Sequence, residues 1–138
     1  MSKPRFVFDT NVVISALLLP RSLARQALDR ALAVGELLVS PATVAELSRV
    51  LQRKSFAKYV TEEERIEFLR ALVNESVMIE VETQIVACRD PKDDMFLSLA
   101  VSGRAVCIVS GDEDLLVLHP FQGVAIVTPR DFLAYSID

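Results

Sequence analysis

Residues 105–112 read Ala105-Val106-Cys107-Ile108-Val109-Ser110-Gly111-Asp112. Five apolar residues in an unbroken row do not alternate as a strand with one wet face would; they suit a parallel strand covered on both faces. Ser110-Gly111 then turns the chain. Asp112 follows at the carboxyl end of the strand, the edge at which open parallel sheets bind ligands.

Short apolar runs and amphipathic helices alternate outward from this stretch. Toward the N-terminus, Arg5 to Phe8 reads as a strand ending at Asp9, and a helix follows from Asn11 to Leu19, stopped by Pro20. Ser22 caps a second helix that places Leu23, Ala27, Leu28 and Leu32 on one face and ends at Gly35. Glu36 to Val39 is a second strand, and Ser40-Pro41 opens a helix reaching Arg53. Thr61 to Glu64 is a capping box ahead of the stripe Ile66, Leu69 and Val73. Val77 to Val81 alternates like an edge strand, and Asp90-Pro91 opens a helix through Ser102 that Gly103 closes. Beyond the quoted stretch come a short helix from Asp112 to Leu118, a strand from Val124 to Val127, and a last helix capped by Thr128-Pro129. This order predicts a single domain over residues 1–138, a three-layer α/β/α sandwich with a mainly parallel five-stranded sheet.

Composition narrows the function. With 51% hydrophobic residues in 138, the chain can bury a sizeable core. A net charge of −4 and a pI near 5.0 argue against a protein that coats nucleic acid electrostatically, but not against an enzyme whose site is acidic because it holds cations. Cys88 and Cys107 both lie in apolar runs without a CxxC pair, which predicts buried free thiols in a reducing, cytoplasmic setting. One histidine and two distant cysteines cannot build an ordinary zinc site, so any metal must be held by oxygen. No stretch approaches the roughly 20 apolar residues of a membrane span, and the N-terminal apolar run, broken at Asp9, is too short for a signal peptide.

The acids at the strand ends carry the chemistry. Asp9 ends the first strand and Asp112 follows the central one. Glu46 shares a helix face with Thr43, Leu47 and Val50, which turns its carboxylate toward the sheet. Asp93 is in register with Phe96, Leu97 and Ala100, whereas Asp94 is rotated about 100° away. Asp93 is therefore the expected inward acid, though the assignment between the two could shift by one residue. Asp90 reads as an N-cap; Asp94 and Asp131 read as solvated or helix-dipole residues. Four converging carboxylates repel one another and take up protons. A hard divalent cation such as Mg²⁺, which prefers a few carboxylates plus waters, removes that conflict.

Phe6-Val7-Phe8-Asp9-Thr10-Asn11, Glu46 after the second strand, Arg89 to Leu97, and Val109 to Leu115 together resemble the PIN-domain family in order and spacing over nearly the whole chain. The resemblance is closest to toxin components of type II toxin–antitoxin pairs, similar to VapC-type toxins. It implies a divalent-metal-dependent endoribonuclease in which Asp9, Glu46, Asp93 and Asp112 hold Mg²⁺ or Mn²⁺. Asn11 and Ser110 would orient those carboxylates, and Asp114 would be an accessory acid. Ser110 stands where threonine is common and keeps the hydroxyl. Implied partners are single-stranded or structured RNA, a cognate antitoxin protein and a second copy of the chain.

Other residues support this reading less directly. Arg49, Arg53, Lys54 and Lys58 could form a basic rim or merely a solvated face. His119 before Pro120 reads as a turn residue rather than a general base, and Phe121, Phe132 and Tyr135 as core or dimer contacts. Leu17, Leu18 and Leu19 suggest an apolar patch for a dimer. A phosphorylated receiver would want paired acids after the first strand, and an aspartate-nucleophile phosphatase a second Asp where Asn11 stands. A PIN-like RNA-binding or interaction module, and a housekeeping RNA-processing nuclease, are the alternatives to a toxin. Whether one or two metals bind is left open.

Overall fold

The computed structural model describes residues 2–134. Its sheet has five strands, all parallel, in the order β3-β2-β1-β4-β5. The strands are β1 (Arg5–Phe8), β2 (Glu36–Val39), β3 (Val77–Met78), β4 (Cys107–Val109) and β5 (Ala125–Val127). The chain builds outward from β1 to β3, then crosses to the other side of β1 for β4 and β5. The strand order thus reverses between β1 and β4, which opens a crevice at their carboxyl ends.

Helices cover both faces, as the unbroken apolar strands require. Phe6 and Phe8 point into one core with α1 (Thr10–Leu18), α2 (Leu23–Val34), α3 (Pro41–Leu51), α4 (Glu62–Glu75) and α7 (Pro129–Ala134). Val7 and Ile108 point into the other core, closed by α5 (Asp94–Gly103) and α6 (Glu113–Leu116). Phe132 of α7 sets its ring edge-on to Phe6 and Phe8, at centroid distances of 5.2 and 5.9 Å. That makes Phe132 a core residue. Phe121 is partly buried against the second core, and Tyr135 lies outside the described residues.

The caps form as the sequence requires. The Ser22 hydroxyl accepts from the Arg25 N–H at 3.1 Å, and Ser40 with Thr43, and Thr61 with Glu64, close reciprocal capping boxes. Each such cap stabilises its helix by about 1 kcal/mol.

Several boundaries differ from the sequence reading. The helix opened by Asp90-Pro91 begins as a 3₁₀ turn, Pro91–Asp93, before α5 continues it. Gly103 does not close α5 by adopting a left-handed conformation; Arg104 does, at φ 57°. Gly103 is needed for space instead, because a Cβ there would meet Leu38 Cδ1 of β2 at 2.5 Å. The strand expected from Ala105 starts at Cys107: the Ala105 N–H is committed to Ala100 O at 2.9 Å, and Val106 is half exposed. Pairing in β3 covers two residues of the five expected. The apolar patch at the end of α1 is also narrower, since Leu17 and Leu18 pack on the core while Leu19 is 58% exposed.

Candidate functional site

The carboxyl edge of β1 and β4 opens into a cleft of about 250 Å³. Asp9, Asn11, Glu46, Asp93 and Asp112 all line it. The backbone dictates how each arrives. Asp9 leaves β1 and caps α1 at once, its Oδ1 accepting from the Val12 N–H at 2.9 Å. Its other oxygen accepts from the Ser110 hydroxyl, and Ser110 Oγ in turn accepts the Asp112 N–H at 3.0 Å. Ser110, fully buried after β4, therefore ties the two strand-end acids together. Asp112 caps α6, with its Oδ1 accepting from the Asp114 N–H at 2.9 Å. Asn11 is exposed at the cleft, and its backbone N–H stands next to the Asp9 carboxylate.

Electrostatics identify where the strain lies. Burial raises the Asp9 carboxyl above its ordinary value; the Ser110 and Val12 donors oppose that rise and the Asp112 charge adds to it. Asp93 is pushed up to about 7, first by burial and next by the Asp112 charge. Asp93, Asp112 and Asp114 each offer a carboxylate oxygen, and these three oxygens lie within 4.8 Å of one another. Oxygen donors so placed fit a hard divalent cation, which would relieve the repulsion that raises Asp93. Asp114 is thus closer to the other acids than an accessory role implied.

Glu46 projects from α3 into the cleft with its side chain 20% exposed, and Arg49 one turn on pairs with it. Arg53 also lines the cleft, as does Lys92 of the 3₁₀ turn; Lys54 and Lys58 are exposed outside it. Lys92 escaped the sequence reading. Its only signal was adjacency to Asp93, because a 3₁₀ turn leaves no helical periodicity to place it.

Asp94 requires a correction. It is not solvated: it is buried, and its Oδ1 accepts the Ala87 and Cys88 N–H groups at 3.0 and 2.7 Å. Burial pushes its carboxyl up, but these two donors outweigh that and hold it below the ordinary value. The physical reason is the irregular segment before α5, whose backbone amides need an acceptor that no strand supplies. Asp90 does cap the 3₁₀ turn, accepting from the Lys92 N–H at 3.0 Å. His119 is a turn residue whose Nδ1 accepts from the Ile126 N–H at 2.8 Å. Cys88 and Cys107 are free thiols; Cys107 is buried as expected while Cys88 is only partly so, and both are pushed up to about 12, chiefly by burial.

A parallel α/β sheet with converging acids at its switch point defines a class of small proteins, and sequence comparison gives the family. The model of the PIN domain matches residues 5–114, and the chain belongs to that family, whose members are generally nucleases. The uncharacterized protein MJ1680 of Methanocaldococcus jannaschii is 36% identical over 143 residues, spanning 95% of this chain and 90% of that protein. In structure, the chain is similar to VapBC2 from Rickettsia felis, solved bound to a DNA fragment from their promoter. The TM-score is 0.62 and the identity 13%, over 88% of this chain and 96% of that one. It is also similar to PAE2754 from Pyrobaculum aerophilum, with a TM-score of 0.64 and 15% identity over 95% and 88% of the two chains. At such identities the structural likeness carries the fold alone. Among the described residues, no helix is long and apolar enough to cross a membrane.

Proposed function

We propose that this protein is a divalent-metal-dependent endoribonuclease, with residues 1–138 acting as one nuclease domain. The observation that carries the reading is the convergence of Asp9, Glu46, Asp93 and Asp112 on one cleft at the sheet's switch point. Asp9, Glu46, Asp93 and Asp112 would hold Mg²⁺ or Mn²⁺, with Asp114, whose carboxylate lies within 4.8 Å of those of Asp93 and Asp112, as the accessory acid beside them. When bound, such an ion makes water a nucleophile at neutral pH and offsets charge on the phosphate.

The chain's own residues supply the rest. Val12 N–H and Ser110 hold the Asp9 carboxylate in one orientation, so little reorganisation is needed when a cation arrives. Arg53 and Lys92 line the same cleft and offer cations to the phosphates of a single RNA strand crossing the acids. Water adds to phosphorus and the bond to the leaving sugar oxygen breaks; that oxygen ends as a hydroxyl by taking one proton, and the attacking water's remaining proton stays on the new phosphate or is released to solvent.

The fold shared with VapBC2 supports a toxin of a toxin–antitoxin pair, held in check by a cognate antitoxin. Leu19 and Leu23, 58% and 40% exposed, support a homodimer.

The decisive experiment incubates a mixed single-stranded RNA pool with protein in Mn²⁺ or in EDTA. Cleavage should appear only with Mn²⁺ and vanish in Asp112→Asn while the circular dichroism spectrum is retained. Equal, poor cutting in both conditions would leave an RNA-binding module instead.

A further inference from the structure

Both oxygens of Glu46 are taken. Arg49 Nη2 donates to Oε1 at 2.8 Å and Arg49 Nε to Oε2 at 3.4 Å, a fork-on-carboxylate arrangement within one turn of α3. Such a pair on a plain helix face would be a surface ion pair of small consequence. This one lines the acidic cleft itself, and the Glu46 side chain is only 20% exposed. The other acids behave differently. Asp93 and Asp112 make no ion pair among the described residues, and their carboxylate oxygens lie within 4.8 Å of each other. Glu46 is the one carboxylate of the four whose charge is neutralised from within the chain.

We propose that Arg49 is a built-in counter-cation. It occupies Glu46 until a divalent ion enters the cleft, then yields that carboxylate to the ion's field, leaving its guanidinium at the rim. The inference rests on the cation-binding reading of the cleft. Its physics is competition: a guanidinium and a divalent ion cannot both have full use of one carboxylate, so each weakens the other's hold. Arg49 is then a positioning residue, acting through Glu46 on cation affinity. Its forked donors suit a phosphate once they are released. Arg53 supplies the charge-matched comparison, since it lines the same cleft from the same end of α3.

The test is a double-mutant cycle on Mn²⁺ affinity, read by isothermal titration calorimetry without substrate. Arg49→Ala should tighten Mn²⁺ binding by about fivefold, near the upper limit of what a surface ion pair withholds. Arg53→Ala, which removes the same charge, should tighten it distinctly less. In a Glu46→Gln background the effect of Arg49→Ala should fall to that of Arg53→Ala, because there is no carboxylate left to contest. Equal effects of the two arginine substitutions, or an Arg49→Ala effect that persists undiminished in Glu46→Gln, would overturn the exchange and reduce Arg49 to a general charge. Absence of any Mn²⁺ binding by the unmodified protein would instead overturn the cation site itself, a separate failure. Unchanged melting of the metal-free Arg49→Ala protein rules out a folding defect as the source.

Discussion

The two ends of the sheet are built on opposite rules. At the amino end, Arg5 Nε pairs with Glu36 Oε1 at 3.3 Å, and Arg5 Nη1 donates to Gly103 O at 3.0 Å. Backbone groups there are matched as well: the Glu36 N–H reaches Pro4 O, and the Val106 N–H reaches Arg5 O, each at 2.8 Å. One cation meets one anion, and nothing is left in conflict. At the carboxyl end five acids face three cations along one cleft, and burial, with the charge of Asp112 added to it, raises Asp9 and Asp93. The first end is made for stability. The second keeps an electrostatic conflict that a proton or an added cation relieves, a common sign of a site whose work comes before its stability.

Substitutions that treat the two ends alike should separate them most sharply in activity. Asp9→Asn or Asp112→Asn should lower Mn²⁺-dependent RNA cleavage on the order of 100-fold or more, since even residues that merely support metal ligands cost 10- to 100-fold. Arg5→Ala should leave the rate per folded molecule unchanged while lowering the melting temperature. A normal rate in Asp112→Asn would erase the contrast.

Metal should stabilise only through the carboxyl end. Free Mn²⁺ at about 100 times its Kd should add about 2.7 kcal/mol to the stability of the natural chain. It should add almost nothing to an Asp93→Asn, Asp112→Asn double variant, and the full increment to Arg5→Ala. Differential scanning fluorimetry with and without Mn²⁺ reads the difference directly.

Asp93 and Asp94 place the same contrast within two adjacent residues. Asp94→Ala strands the Ala87 and Cys88 N–H groups and should cost about 1–3 kcal/mol in urea unfolding, with Mn²⁺ binding retained. Asp93→Asn should do the reverse, weakening Mn²⁺ binding with no loss of metal-free stability. Matching stability losses for the two would mean that Asp93 is also structural.

The last contrast is a pH slope. Asp93 holds its proton to about pH 7 in the folded chain, against 3.8 as the ordinary value. Between these values the folded state binds more protons than the unfolded one, so metal-free stability should fall as pH rises through that window and level off above it. Asp9, also raised, adds in the same direction. Asp93→Asn should flatten the slope, and Arg5→Ala should leave it intact. A metal-free stability that rises between pH 4 and 7 by urea titration would reverse the sign and contradict the repulsion.

Much of this was legible in the chain alone, for a definable reason. Apolar runs, the Ser22, Ser40 and Thr61 caps and the two-sided burial of Cys107 to Val109 depend on neighbours within a few residues, and such short-range rules fixed the parallel sheet and the order of elements. The same rules placed Asp9 and Asp112 at strand ends and turned Glu46 and Asp93 inward, so the members of the site were readable. Their partners were not. Asp94 looked solvated because helical periodicity registers the angle of a side chain and not the unpaired amides of residues 87 and 88, brought over it by an irregular segment. Gly103 looked like a helix terminator, yet its role is to let α5 approach Leu38, 65 positions earlier in sequence. The nearness of Asp114 to Asp93, and the seating of the Glu46–Arg49 pair within the acidic cleft, likewise depend on how separate elements dock. Sequence determined which groups reach the carboxyl edge of the sheet. Tertiary structure decided which of them are satisfied there, because hydrogen bonding and charge repulsion act over a few ångströms of space between residues far apart in the chain.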